Sequence, residues 1–218
     1  SWFRGSDTMA GVEEQIYQML LDSRVVYDAA MDAVFGGGKS KQAKQVVRGT
    51  DAGINTAQQE VRRALLIHSS VAPHTDTAKV LSFMSVVKDV ERIGDYSKNL
   101  YDLAKYGVNF EAADDAAELA TYREAVGQLI TDAAQVFDDG DTAAAEKLIA
   151  KANDFLDDYD SRVKAAYWSE GVASDAVARA LYYRFLKRIT AHIMNFLTAL
   201  VMPLDQLDYY DEPRGTDD

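Results

Sequence analysis

The stretch Glu91-Arg-Ile-Gly-Asp-Tyr-Ser-Lys-Asn-Leu100 returns 96 residues later as Lys187-Arg-Ile-Thr-Ala-His-Ile-Met-Asn-Phe196. Arg92, Ile93 and Asn99 then coincide with Arg188, Ile189 and Asn195. A second pair of segments repeats at an offset of 102: Ala43 to Asn55 overlies Ala145 to Asp157. Val46 falls on Leu148, Val47 on Ile149, Ile54 on Leu156, and in the same register Val61 on Val163. One supersecondary unit used twice accounts for both alignments. The offsets differ by six, so the loop between the paired helices is shorter in the second copy.

Working outward, the apolar periodicity predicts six helices. Val12, Ile16, Met19, Leu20, Val26, Tyr27, Ala30 and Val34 recur at three- and four-residue steps over about 9–35. Gly36-Gly37-Gly38 ends that helix, because three glycines lose too much entropy to remain helical. A second helix is expected over about 40–69, with a weak point at Gly49 and Gly53. Pro73 marks the turn, Thr75 or Asp76 caps helix 3, and Gly107 stops it. After a connection over 108–113, helix 4 covers about 114–137 and helix 5 about 142–168. Ser174 or Asp175 caps helix 6, which reaches about residue 207 unless Pro203 kinks it or ends it early.

Short connections make consecutive helices pack antiparallel. The expected fold is therefore all-α: two tandem antiparallel three-helix bundles, residues 1–108 and 109–208, followed by a mobile tail over 209–218. Composition agrees. Of 218 residues 48% are hydrophobic and only three are proline, enough apolar side chain for a core and too little proline for disorder. The aromatic group Tyr182, Tyr183, Phe185 and Phe196 is expected in that core.

Several function classes drop out. The net charge of −12 repels nucleic acid. With no cysteine there is no disulfide, thiolate zinc site or thiol nucleophile. No run of apolar residues reaches the length of a membrane span, and Ser1-Trp-Phe-Arg-Gly5 does not read as a signal peptide. The cytoplasm is the expected compartment, with Trp2 and Phe3 docked on the protein's own helices. Gly36-Gly-Gly-Lys-Ser40 follows a helix and lacks the glycine spacing of a phosphate loop, so it is read as a turn. His68 and His74 are expected at the surface and His192 in helix packing. No Glu-x-x-His pair occurs, which argues against a di-iron oxidase.

The chemistry concentrates in Asp89-Val-Glu-Arg-Ile-Gly-Asp95. Glu91 and Asp95 stand one turn apart on the same helix face and repel each other. A cation restores the balance, either a Lys or Arg partner or a bound metal, for which carboxylate oxygens suit hard and borderline ions. Asp51 and Asn55 repeat the four-residue spacing on the neighbouring second helix. Gly94 inside a helix points to close approach by another backbone or a ligand. In the second copy Lys187 and Ala191 replace the two acids, while Asn153 and Asp157 remain opposite. Lys187 or Arg184 is expected to pair with Asp157 in place of a metal.

Pro73-His-Thr-Asp76, the apolar run after it, Asp89-Val-Glu-Arg-Ile-Gly-Asp95 and Asn99 together resemble the third helix of the PhoU domain. Arg48-Gly-Thr-Asp-Ala-Gly-Ile-Asn55 is similar to the second-helix motif of that family. The resemblance implies two three-helix bundles in pseudo-twofold symmetry and a regulatory role in phosphate uptake and phosphate signalling, without catalysis. It implies a divalent or iron-type metal ion held in the first bundle by Glu91, Asp95 and Asp51, with Asn55 as a neutral fourth ligand. The implied partners are phosphate transporter subunits and a sensor histidine kinase, met at the inner face of the membrane by a peripheral protein, with a homodimer expected. Competing expectations are an accessory of another ion transporter, a metal-independent scaffold, and a metal-dependent hydrolase or oxidase.

Overall fold

The computed structural model describes residues 7–37, 41–71 and 76–202. Expectations for Trp2, Phe3, Gly38–Ser40, Pro73–Thr75, Pro203 and the tail over 209–218 lie outside those residues. The described chain is all-helical. Its elements are α1 (Asp7–Asp32), a π-helical turn (Ala33–Gly37), α2 (Lys41–Val71), α3 (Thr77–Lys105), α4 (Ala116–Asp139), α5 (Thr142–Ala166) and α6 (Ala173–Val201).

The helices start and stop for local reasons. Asp76 caps α3 by accepting from the Lys79 amide at 3.1 Å, and Asp141 caps α5 by accepting from the Ala144 amide at 3.0 Å. Gly36 ends the first helical segment at φ 102°, a backbone state that glycine adopts without steric cost. Two expectations are corrected. Gly49 and Gly53 make no break: α2 runs continuously through both, on a side with open space around each. The residue before the first turn of α6 is Val172, with no side-chain cap, rather than Ser174 or Asp175. Helix α6 closes at Val201, earlier than residue 207, and Met202 turns to an extended backbone just before Pro203 in the sequence.

Burial explains which helices lie inside. On α2 the buried positions are Val47, Ile54, Val61 and Leu65, and on α5 Ala145, Ile149, Ala152 and Tyr159. Steps of seven, or of four plus three, give one narrow seam, so each of these helices meets its neighbours along a single stripe. Helices α3 and α6 are buried on wider arcs. From Ile189 to Leu200 only His192 escapes full burial, because α6 packs against α5, α3 and α4 together. No described helix is long and apolar enough to cross a membrane.

Helices α1, α2 and α3 pack on one another, and α6 joins α5 and α4. Between these groups α3 meets α6 and α1 meets α4. Under the repeat these are equivalent helices, so each meets its own counterpart, as a twofold relation requires. The buried apolar side chains form one continuous cluster across that seam. The connection after α3 is strapped into it. Phe110 donates its amide to the Val34 carbonyl at 2.9 Å, and its ring packs edge-on against Phe35 and Tyr182. Tyr182, Tyr183 and Phe196 are core residues as expected; Phe185 is partly buried and packs beside Tyr96 at the α3–α6 seam.

Candidate functional site

The acidic residues come together where α2 passes α3. Asp51 and Asp95 are bridged by one ammonium: Lys98 Nζ donates to Asp51 Oδ2 and to Asp95 Oδ1, each at 2.9 Å. Arg92 adds a longer contact, 3.3 Å from Asp95 and 3.8 Å from Glu91. Lys98 thus supplies this face with a basic countercharge from within the chain. Lys98 follows Asp95 by three residues, a helix-neighbour spacing through which it could have been found in the sequence.

The electrostatics match this geometry. Burial first, then the charge of Asp95, raises the Glu91 carboxyl above its ordinary range; Arg92 opposes and Asp51 adds to the rise. Burial by itself depresses the Lys98 ammonium, yet its hydrogen bonds to Asp51 and Asp95 outweigh that and hold it above the usual lysine value. The patch thus concentrates three carboxylates around one lysine, with Glu91 the least compensated.

Asn55 is turned to its own helix. Its amide nitrogen donates to the Asp51 carbonyl at 3.1 Å, leaving only the amide oxygen for any ligand. Among the described residues, no three His, Cys, Asp or Glu side chains are arranged to hold a metal ion. The donor set of Asp51, Glu91 and Asp95 suits a hard cation in chemistry, and Lys98 occupies the point between two of them. Gly94 has a simpler reason than a ligand or a second backbone: a Cβ there would lie 3.0 Å from Ile54 Cδ1, a side chain of α2.

The second copy is also corrected. Lys187 pairs with Asp160 at 2.5 Å rather than with Asp157, which is exposed. Three residues along a helix turn the side chain by about 60° from the starting direction. That rotation puts Asp160, next to buried Tyr159, on the side facing α6.

A polar network that spacing alone did not reveal lies where α3 crosses α6. His192 donates from Nδ1 to Asp89 Oδ1 at 2.8 Å, since a carboxylate can only accept. Asn195 donates to the same oxygen at 3.3 Å. The imidazole stacks on Tyr96 with ring centroids 5.7 Å apart, and Arg188 donates from Nε to the Tyr96 hydroxyl at 3.2 Å. Tyr96 and His192 are equivalent under the repeat, so the stack joins the same position in both copies. His192 is therefore a packing residue with a polar task, and His68 is partly buried on α2.

The acidic residues of α2 and α3 sit inside a segment with a family signature: residues 16–104 match the PhoU domain. Over that stretch the chain is similar to the PhoU domain. Its sequence match covers the first copy of the repeat, and fold extends the likeness to the remainder. PhoU from Pseudomonas aeruginosa superposes with a TM-score of 0.77 at 20% identity, covering 88% of this chain and 95% of that one. The phosphate transport system regulatory protein PhoU from Streptococcus pneumoniae superposes with a TM-score of 0.72 at 17% identity, covering 89% and 95%. No curated protein matches the sequence significantly. The acidic α2–α3 face lies within the matched stretch, and the second copy keeps the fold without the paired acids.

Proposed function

We propose that this chain is a PhoU-type regulator of phosphate uptake and phosphate signalling, working as a helical adaptor and not as an enzyme. The observation that carries the reading is the PhoU domain over residues 16–104 within a chain that has the PhoU fold over nearly all its length. Its partners on this reading are phosphate transporter subunits and a sensor histidine kinase, engaged through helix faces at the inner side of the membrane by a homodimer. Exposed aromatic surface supports contact with partners: Tyr167 and Trp168, at the end of α5, are 81% and 85% exposed. Aromatic side chains with open surroundings are common anchors of protein contacts.

The acidic face is the proposed tuning element. A divalent or iron-type ion would be held by Asp51, Glu91 and Asp95, with the oxygen of Asn55 in reach of the same patch, once Lys98 swings away. Ion and ammonium compete for the same carboxylates, so metal binding would exchange an internal ion pair for an external one.

The test is a native pull-down from membranes of phosphate-replete and phosphate-starved cells, with partners identified by mass spectrometry. Capture of a phosphate transporter or its sensor kinase, varying with phosphate supply and weakened by Trp168→Ala, is the expected result. Capture of a different ion transporter would transfer the adaptor role to that system. Capture of neither would remove the regulatory reading and leave a metal-independent scaffold.

A further inference from the structure

We propose that the cleft over the α3–α6 crossing binds a free hydrogenphosphate ion. The proposal does not depend on the regulatory reading, since it rests on the cleft's own charges. The cleft, about 470 Å³, is lined by Ser85, Lys88, Asp89, Arg92 and Tyr96 of α3 and by Arg188, His192 and Asn195 of α6. Three of these are cations in a chain of net charge −12. Among the described residues neither Lys88 nor Arg188 has a carboxylate partner, and Arg92 has only the long contacts to Asp95 and Glu91.

The donors are arranged in advance. The Arg188 guanidinium lies over the Tyr96 ring, 5.5 Å from its centroid, donates to the Tyr96 hydroxyl, and sits 3.5 Å from His192 Nε2. A guanidinium already fixed by its neighbours loses little freedom on meeting an anion. Asp89 meets Asn195 while Tyr96 meets Phe185, so α3 and α6 run antiparallel across the crossing. Arg92 and Arg188, equivalent in the repeat, therefore approach the cleft from opposite directions. A tetrahedral oxyanion can receive N–H groups from both, with Lys88 as a third charge.

Asp89 selects which oxyanion. Its Oδ1 accepts from His192 and Asn195, and among the described residues its Oδ2 accepts from nothing. A fully deprotonated ion such as sulfate would meet that oxygen as repulsion. Hydrogenphosphate keeps a proton at neutral pH and can donate it to Oδ2. A nucleotide is a poorer fit: Tyr96, the cleft's one planar hydrocarbon ring, is already covered by Arg188 and His192. The polar lining gives a lipid chain no place either.

The test is calorimetric titration of the full chain with sodium phosphate and, separately, sodium sulfate at neutral pH. Phosphate is expected to bind at least about tenfold more tightly than sulfate, because the bond to Asp89 is available to it alone. Arg188→Gln and Lys88→Gln are each expected to weaken phosphate about tenfold, and Asp89→Asn to abolish the preference over sulfate. Lys88 is exposed, so its variant carries the test if either of the others fails to fold by circular dichroism. Phosphate binding weaker than about 1 mM, binding that survives Lys88→Gln and Arg188→Gln unchanged, or equal affinity for sulfate would each overturn the proposal.

Discussion

The ammonium of Lys98 lies 2.9 Å from the carboxylate of Asp51 and so ties α3 to α2 at the centre of the acidic face. The same nitrogen holds Asp95 at 2.9 Å, making Lys98 the principal countercharge for a patch that also contains Glu91. Its removal leaves three carboxylates with only the outlying Arg92. Lys98→Gln is expected to lower stability by about 1–2 kcal/mol, measured by urea unfolding without metal. The same variant is expected to bind manganese more tightly than the wild type, because the competing ammonium is gone. A Lys98→Gln protein that gains no manganese affinity would remove the exchange of ammonium for metal.

Glu91 gives a pH signature of the opposite sign to an ordinary paired carboxylate. Its folded pKa is raised, by burial and then by Asp95, so between its unfolded and folded values the native state holds the extra proton. Stability contributed by this group is greatest in acid and falls as pH rises through that window. Glu91→Gln is expected to stabilise the metal-free protein near neutral pH by about 0.5 kcal/mol, with the gain fading as pH drops into the carboxylate range. Thermal melts of both proteins across pH check it.

Asp115 behaves conventionally. Arg179 grips it with two hydrogen bonds, Nε to Oδ2 at 2.7 Å and Nη2 to Oδ1 at 2.6 Å, and these hold its carboxyl below the usual range. A depressed pKa contributes stability that is present above the unfolded value and lost as pH falls through the folded one. Arg179 lies on α6 and Asp115 just before α4, so the pair closes the start of α4 onto α6. Arg179→Gln is expected to cost about 1 kcal/mol at neutral pH and nothing once both forms of Asp115 are protonated. Equal costs at both pH extremes would mean that packing, not charge, is what Arg179 supplies.

Gly94 tests the crowding of α2 on α3. Alanine gains about 1 kcal/mol of helix propensity, but its methyl would stand 3.0 Å from Ile54 Cδ1. Gly94→Ala alone is expected to be near neutral or destabilising. Combined with Ile54→Val, which removes that methyl, it is expected to lie at least about 0.5 kcal/mol above the sum of the single changes. Simple additivity in a double-mutant cycle would show that Ile54 is not the obstacle.

The sequence by itself determined the six helices, their order and their repetition. Helical periodicity and the residues that cap or stop a helix are local, and the burial of Val47 with Ile149, or of Ile93 with Ile189, follows the alignment of the two copies. It also brought Asp51, Glu91 and Asp95 to one place, because their spacing puts them on facing helices. Tertiary structure decided the partners. Lys98 rather than Arg92 bridges Asp51 and Asp95, Asp160 rather than Asp157 takes Lys187, and Asp89 meets His192 across 103 positions of chain. An ion pair or hydrogen bond depends on the register and rotation of two helices to within an ångström or two, and a 3.6-residue period does not carry that information.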